Sequence, residues 1–328
     1  MAYTTTDLVT AVRRLAYLPD ASDITDVEIL ARADEEMATI IADAVKAGRE
    51  GFWLTSEDTP LVPSQTAYAI PRRALGRGVV GVGMVNSDGT FFTIPQIDPV
   101  TGWNGRTVTI NSYCYSFQAD KIVFPTAPPS GYSLRVLYLR RPSQLVPISD
   151  AGQIGRAVDA VTIQTFTKPA FTQIDILDPT RFVGLYADIV RGDAPFDLSY
   201  VDLIVTGVTG SSSPFVVALS ATTPVDPTAI ADYTVIQNDR VDYLCARDQT
   251  VYPAVPVELQ PVLEAATAVR IAESIRDSEA AAMAQQTLAA RRRAAVDILE
   301  PRNEEGSRPI VRSRSPLRQT FGIGRRWR

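Results

Sequence analysis

Pro256-Val-Glu-Leu-Gln-Pro-Val-Leu-Glu-Ala-Ala-Thr-Ala-Val-Arg-Ile-Ala272 is the stretch that decides how this chain is read. Leu259, Val262, Leu263, Ala266, Val269 and Ala272 recur at helical spacing. Pro256 stands near the start, where a missing N–H costs no hydrogen bond. Ser274-Ile-Arg-Asp277 interrupts the pattern, and Asp277 is placed to cap a second helix with Glu279 in its first turn. That helix runs through Leu288 and Arg291-Arg-Arg293 to Leu299 and stops before Pro301. At about 1.5 Å per residue it is on the order of 33 Å long. Arg291, Arg292 and Arg293 spread over most of a turn, so they point in different directions. One or more of them is read as meeting a neighbouring subunit or DNA, with simple solvation an equal alternative.

Working outward, the other end of the chain is also helical. Thr6 is placed to cap a helix carrying Leu8, Val9, Val12, Leu15 and Leu18, closed by Pro19. Thr25-Asp-Val-Glu28 has the reciprocal capping pattern and opens a second helix. Leu30, Ala33, Met37, Ile40, Ile41, Ala44 and Val45 give it one apolar face, and Gly48 is its terminator. Four helices with single apolar faces, two from each end, are expected to pack as a small bundle.

Between them the period changes. Thr66–Ile70, Val79–Val85, Phe91–Ile94, Thr107–Ile110, Lys121–Phe124 and Tyr132–Leu139 read as strands, with Asn86-Ser-Asp-Gly89 as a hairpin turn. Further strands are expected over 160–166, 183–190, 201–208, 215–219 and 233–236, separated by turns at Gly210-Ser-Ser-Ser-Pro214 and Thr222–Pro227. This second group reads as an all-β insertion. The expected class is therefore α+β: a helical bundle from both chain ends, an inserted antiparallel β region and an extended C-terminal arm. The expected divisions are 1–60, 61–150, 151–250, 251–300 and 301–328.

The arm is set apart by charge. The 328 residues carry a net charge of −5, but the last 28 hold eight arginines against two glutamates, a local +6 that leaves −11 on the body. Only Lys46, Lys121 and Lys168 are lysines among 32 basic residues. Arginine suits interface ion pairs, and a GC-rich genome, which also raises alanine, is an equal explanation of its excess. Ile310, Leu317, Phe321 and Trp327 punctuate the basic run. A segment too polar to fold alone yet studded with apolar anchors orders on a partner.

Other constellations carry less. Histidine is absent and there are two cysteines, Cys114 and Cys245. That removes Ser-His-Asp and Cys-His nucleophiles, His-ligated zinc and any disulfide framework. Glu57, Asp58, Asp175, Asp178, Asp188, Asp193, Asp197 and Asp202 are scattered carboxylates that read as solvated turns. Gly76-Arg-Gly-Val-Val-Gly-Val-Gly83 fits neither phosphate-binding fingerprint and reads as a strand with close backbone approach. No cofactor, metal or catalytic residue is expected. The N-terminus lacks a basic start and an apolar run, and no stretch approaches the roughly 20 apolar residues of a membrane span. A cytoplasmic product with no membrane partner is expected.

Three patterns together resemble the head-to-tail adaptor (connector) proteins of tailed bacteriophages. They are Tyr68-Ala-Ile-Pro-Arg-Arg-Ala74 with the hairpin Val85–Gly89; Leu137-Tyr-Leu-Arg-Arg-Pro-Ser-Gln-Leu-Val146; and Asp242-Tyr-Leu-Cys245 with Pro253–Leu263, the Leu-Glu-Pro-Arg302 ending and the basic tail. The resemblance implies a non-enzymatic virion protein of the neck, made in the host cytoplasm. It implies a homo-oligomeric ring, dodecameric in the family, that binds a portal protein above and a tail or nozzle protein below. Genomic DNA passes such a ring without sequence-specific binding. Carried onto this chain, the portal-binding residues are Arg302, Arg308, Ile310, Arg312, Arg314, Leu317, Arg318, Phe321 and Trp327, and Arg291, Arg292 and Arg293 are subunit-interface residues. The alternatives are a tail-tube or neck completion protein, a virion-associated glycan hydrolase using two β-region carboxylates, and a free nucleic-acid binder.

Overall fold

The computed structural model describes residues 3–18, 24–46, 50–97, 113–165, 183–192, 200–209, 214–220 and 241–299. Two compact units emerge, one from Met1–Arg49 with Pro142–Leu299 and the other from Glu50–Arg141. The class is α+β. Gly48 and the strands expected at 107–110 and 233–236 lie outside the described residues.

In the first unit, helix α1 spans Thr5–Leu15 and α2 spans Asp26–Lys46. The α1 cap is Thr4, not Thr6. Asp7, three residues on, reciprocates: its N–H donates to the Thr4 hydroxyl, and its carboxylate accepts from the Thr4 N–H at 2.9 Å. Thr25 and Glu28 form the same box at the start of α2, as their spacing requires.

The second unit carries strands β1 (Leu54–Pro60), β2 (Ala67–Ala69), β3 (Ala74–Val85), β4 (Phe91–Thr93), β5 (Ser116–Gln118), β6 (Lys121–Val123) and β7 (Ser133–Arg140). They form an antiparallel four-stranded sheet in the order β1-β7-β3-β4 and a three-stranded sheet β2-β6-β5. Tyr68, Val82, Met84, Ile122, Phe124, Leu134, Val136 and Tyr138 fill one core cluster drawn from both sheets. The glycine-rich run lies in β3, and close approach requires the last of its glycines: a Cβ at Gly83 would stand 2.3 Å from the Phe91 ring. Asp58 and Arg135 face each other across β1 and β7 in a two-pronged ion pair of 2.6 and 2.7 Å.

Back in the first unit, β8 (Gln144–Leu145) pairs in parallel with β15 (Gln249–Thr250). Between them lie β9 (Gly152–Asp159), β10 (Thr162–Thr165), β11 (Tyr186–Val190), β12 (Leu203–Thr209), β13 (Phe215–Leu219) and β14 (Asp242–Ala246). These six close into an antiparallel barrel in the order β10-β13-β12-β11-β14-β9. Ile154, Ile163, Ile189, Leu203, Val205, Val217, Leu219 and Leu244 fill its interior. The expected insertion is thus a closed barrel, and it includes β9 and β14, which periodicity did not mark.

The C-terminal segment opens with a 3-10 turn at Val257–Leu259 behind Pro256. It continues as α3 (Gln260–Ser274), with Pro261 in the first turn, and α4 (Ser278–Leu299). Asp277 caps α4, its carboxylate accepting from the Glu279 and Ala280 N–H groups at 3.1 and 3.0 Å. Helix α3 is the central element, packed against α1, α2 and α4. Beyond its expected face it also buries Ala265, Thr267, Ala268 and Ile271. An α3 apolar around most of its circumference is what a helix with three helical neighbours requires.

Candidate interaction surfaces

Helix α4 is built on alanine. Ala280, Ala281, Ala284 and Ala295 are buried, the first two in a cluster with Ala272 of α3. Small side chains bring the two helices close, and a polar clasp fixes the far end. Arg291 donates to Glu264 at 2.7 Å and to the Pro261 carbonyl at 2.6 Å. Glu264 also accepts from the Tyr3 hydroxyl at 2.7 Å, tying the N-terminal segment to the same carboxylate. Burial, followed by that carboxylate, pushes the Tyr3 hydroxyl far above its ordinary value. Arg292 and Arg293 are exposed. The arginine run therefore divides: one member braces its own chain and two face solvent.

The nine residues from Arg302 to Trp327 expected to meet a portal lie outside the described residues.

Among the scattered carboxylates, Asp175, Asp178, Asp193 and Asp197 also lie outside the described residues. Asp188 is not in a solvated turn. It sits in β11 with 2% exposure, and its two oxygens accept the N–H groups of Asp202 and Asp248, both at 2.8 Å. Asp202 and Asp248 both hold positive φ, 56° and 62°. The fully buried Asp242 accepts from the Gly192 N–H at 3.0 Å. These are structural staples of the barrel, converting tight turns into satisfied hydrogen bonds. Cys245, beside them, is buried, and burial with the nearby Asp188 charge pushes its thiol far up, away from reactivity. Among the described residues no group of three His, Cys, Asp or Glu side chains is placed to hold a metal ion. No helix among them is long and apolar enough to cross a membrane.

One carboxylate escaped the sequence reading. Asp34 of α2 accepts the Leu145 N–H of β8 at 2.9 Å. It opens onto a depression of about 390 Å³ lined by Ala31, Met37, Pro142, Ser143 and Gln144. Burial raises its carboxyl to about 7, with the Leu145 hydrogen bond opposing. The signal was present in the sequence: Asp34 stands four residues after Leu30 and beside Ala33, at the margin of the apolar face.

No curated protein matches the chain. Residues 3–162 match the model of the family described as SU10 adaptor protein, a stretch that takes in α1, α2, the whole second unit and β9. Over that stretch the chain carries the pattern of the SU10 adaptor family, in agreement with its resemblance to the phage head-to-tail adaptors.

Proposed function

We propose that this protein is a structural, non-enzymatic adaptor of the tailed-phage neck, docking onto a portal through residues 302–328 and joining it to a tail or nozzle protein. The match of residues 3–162 to the adaptor family carries this reading. The copies form a ring, dodecameric as in the resembled family, whose channel passes DNA without reading its sequence. Exposed Arg292 and Arg293 serve the subunit interface while Arg291 braces α4 on α3. The arm supplies charge and anchors together: eight arginines with Ile310, Leu317, Phe321 and Trp327 between them. Such a segment loses conformational freedom when it docks, so its individual affinity is modest and a ring of linked arms gains through avidity. At about 3.3 Å per residue, the 27 residues 302–328 reach on the order of 90 Å.

The test is portal capture. The full chain binds purified portal rings, and a chain lacking 302–328 keeps its helical circular dichroism but is not retained. Retention of the truncated chain with undiminished affinity overturns the docking role.

A further inference from the structure

Helix α4 shows solvent a face of small residues that carries a base. Arg291 and the buried Ala280, Ala284 and Ala295 mark its inner side. Arg293, two residues past Arg291, lies roughly 200° further round, at the middle of the outer side. Ala282, Gln286, Ala289 and Ala290 share that side and are all exposed. Arg293 forms no ion pair among the described residues.

Helix α2 shows a matching face with an acid. Val27, Ala31, Asp34, Ala38 and Ala42 fall on one stripe at helical spacing, and all but the half-buried Asp34 are exposed. One Asp34 oxygen accepts the Leu145 N–H, and no cation is paired with the carboxylate among the described residues. Ser143 lines the same depression. It is 6% exposed, and its hydroxyl makes no hydrogen bond among the described residues. A half-buried carboxylate and a nearly buried, unpartnered hydroxyl in one hollow call for a donor with several N–H groups. A guanidinium supplies five in a planar fork, and its stem suits the wall of Met37 and Pro142.

Helix α3 packs on both α2 and α4, and Arg293 faces away from α3, so an Arg293 that reaches Asp34 comes from a second copy. We propose that Arg293 of one copy enters the Asp34 depression of the next, with the outer faces of α4 and α2 packed together around it. The inference rests on the ring reading above and names one contact between neighbours in that ring. Two different patches of the same chain meet, so each copy offers one and accepts one, and such head-to-tail contact propagates around a ring. Alanine on both faces lets the helix axes approach to about 8 Å, within reach of an arginine side chain.

The test is zero-length cross-linking of the full chain carrying Arg293→Lys, free and on purified portal rings. A carbodiimide activates the Asp34 carboxyl, and the amine at position 293 converts it to an amide as the urea leaves. Mixing 14N and 15N chains identifies bonds between copies by peptide mass spectrometry. The expected product is a covalent dimer whose peptides join position 293 to Asp34, with light and heavy chains combined. Asp34→Asn retains an acceptor for the Leu145 N–H, so it should remove that product without loss of helical circular dichroism. Absence of the bond between 293 and Asp34 in both settings overturns the proposal. So do bonds within one isotope only, which place the side chain in its own copy, and bonds from 293 only to a portal carboxylate, which give it to the portal. Portal capture is scored on the same samples. Capture without the bond overturns this pairing and leaves the adaptor reading standing; the bond without capture does the reverse.

Discussion

Glu36 of α2 and Arg270 of α3 form an ion pair at 2.6 Å across 234 residues of sequence. The two are unequal. Glu36 is 5% exposed, whereas the Arg270 side chain is 55% exposed. Removing the arginine strands a buried carboxylate; removing the carboxylate leaves a solvated guanidinium. Arg270→Ala should therefore destabilise the chain by about 1.5–3 kcal/mol, and Glu36→Gln by less, about 1 kcal/mol. Urea unfolding followed by circular dichroism reads the difference; equal costs would refute the asymmetry.

Asp188 is the counterpart in the barrel. Its two backbone donors hold turns with positive φ, so Asp188→Ala removes two hydrogen bonds and leaves two partly buried N–H groups without this acceptor. A loss of about 3 kcal/mol or more is expected, with Asp188→Asn recovering part of it. Hydrogen exchange at the Asp202 and Asp248 amides should accelerate first in both variants.

Asp34 gives the chain a pH dependence of known sign. Its folded value, about 7, lies above its unfolded value, 3.8. The folded state therefore binds more protons between those limits, and this group's stabilising contribution falls as pH rises from about 4 through 7. The parent chain should show this decline, and Asp34→Asn should flatten it. Identical profiles with and without Asp34 would remove the assignment.

Gly83 tests the second unit. A side chain there meets the Phe91 ring at 2.3 Å and the Phe92 carbonyl oxygen at 2.6 Å, and the backbone atom cannot swing aside. Gly83→Val should cost about 2–3 kcal/mol through displacement of β4 from β3. Gly89→Ala, in the turn with φ of 85° and open space around it, should cost about 1 kcal/mol through backbone strain alone.

What was legible in the sequence was what has local period or local chemistry. The boxes at Thr25–Glu28 and the cap at Asp277 announce helices because donor and acceptor lie within three residues. The shift from Thr6 to Thr4 turned on which threonine has an acid three residues later. Strand β1, Leu-Thr-Ser-Glu-Asp-Thr-Pro, was not legible, since an edge strand exposed along most of its length shows no apolar alternation. Barrel closure was not legible either. It depends on β14 pairing with β9 roughly 90 residues earlier, with Asp242 opposite Ile154, and no local pattern encodes that register. Asp188 read as solvated because its partners are backbone groups from distant turns. For the interaction surfaces, the sequence marked Arg291–Arg293 as a group but not the clasp that draws Arg291 inward, and it left Asp34 hidden on a helix margin.

Closure of the barrel also divides the molecule by the kind of handshake each part permits. All six strands there have both flanks occupied, so a visiting polypeptide finds no vacant ladder to extend and must engage side chains or connecting segments. The four-stranded sheet of the other unit ends in β1 and β4, whose outer rims are unpaired among the described residues, and there recognition through main-chain amides is geometrically available.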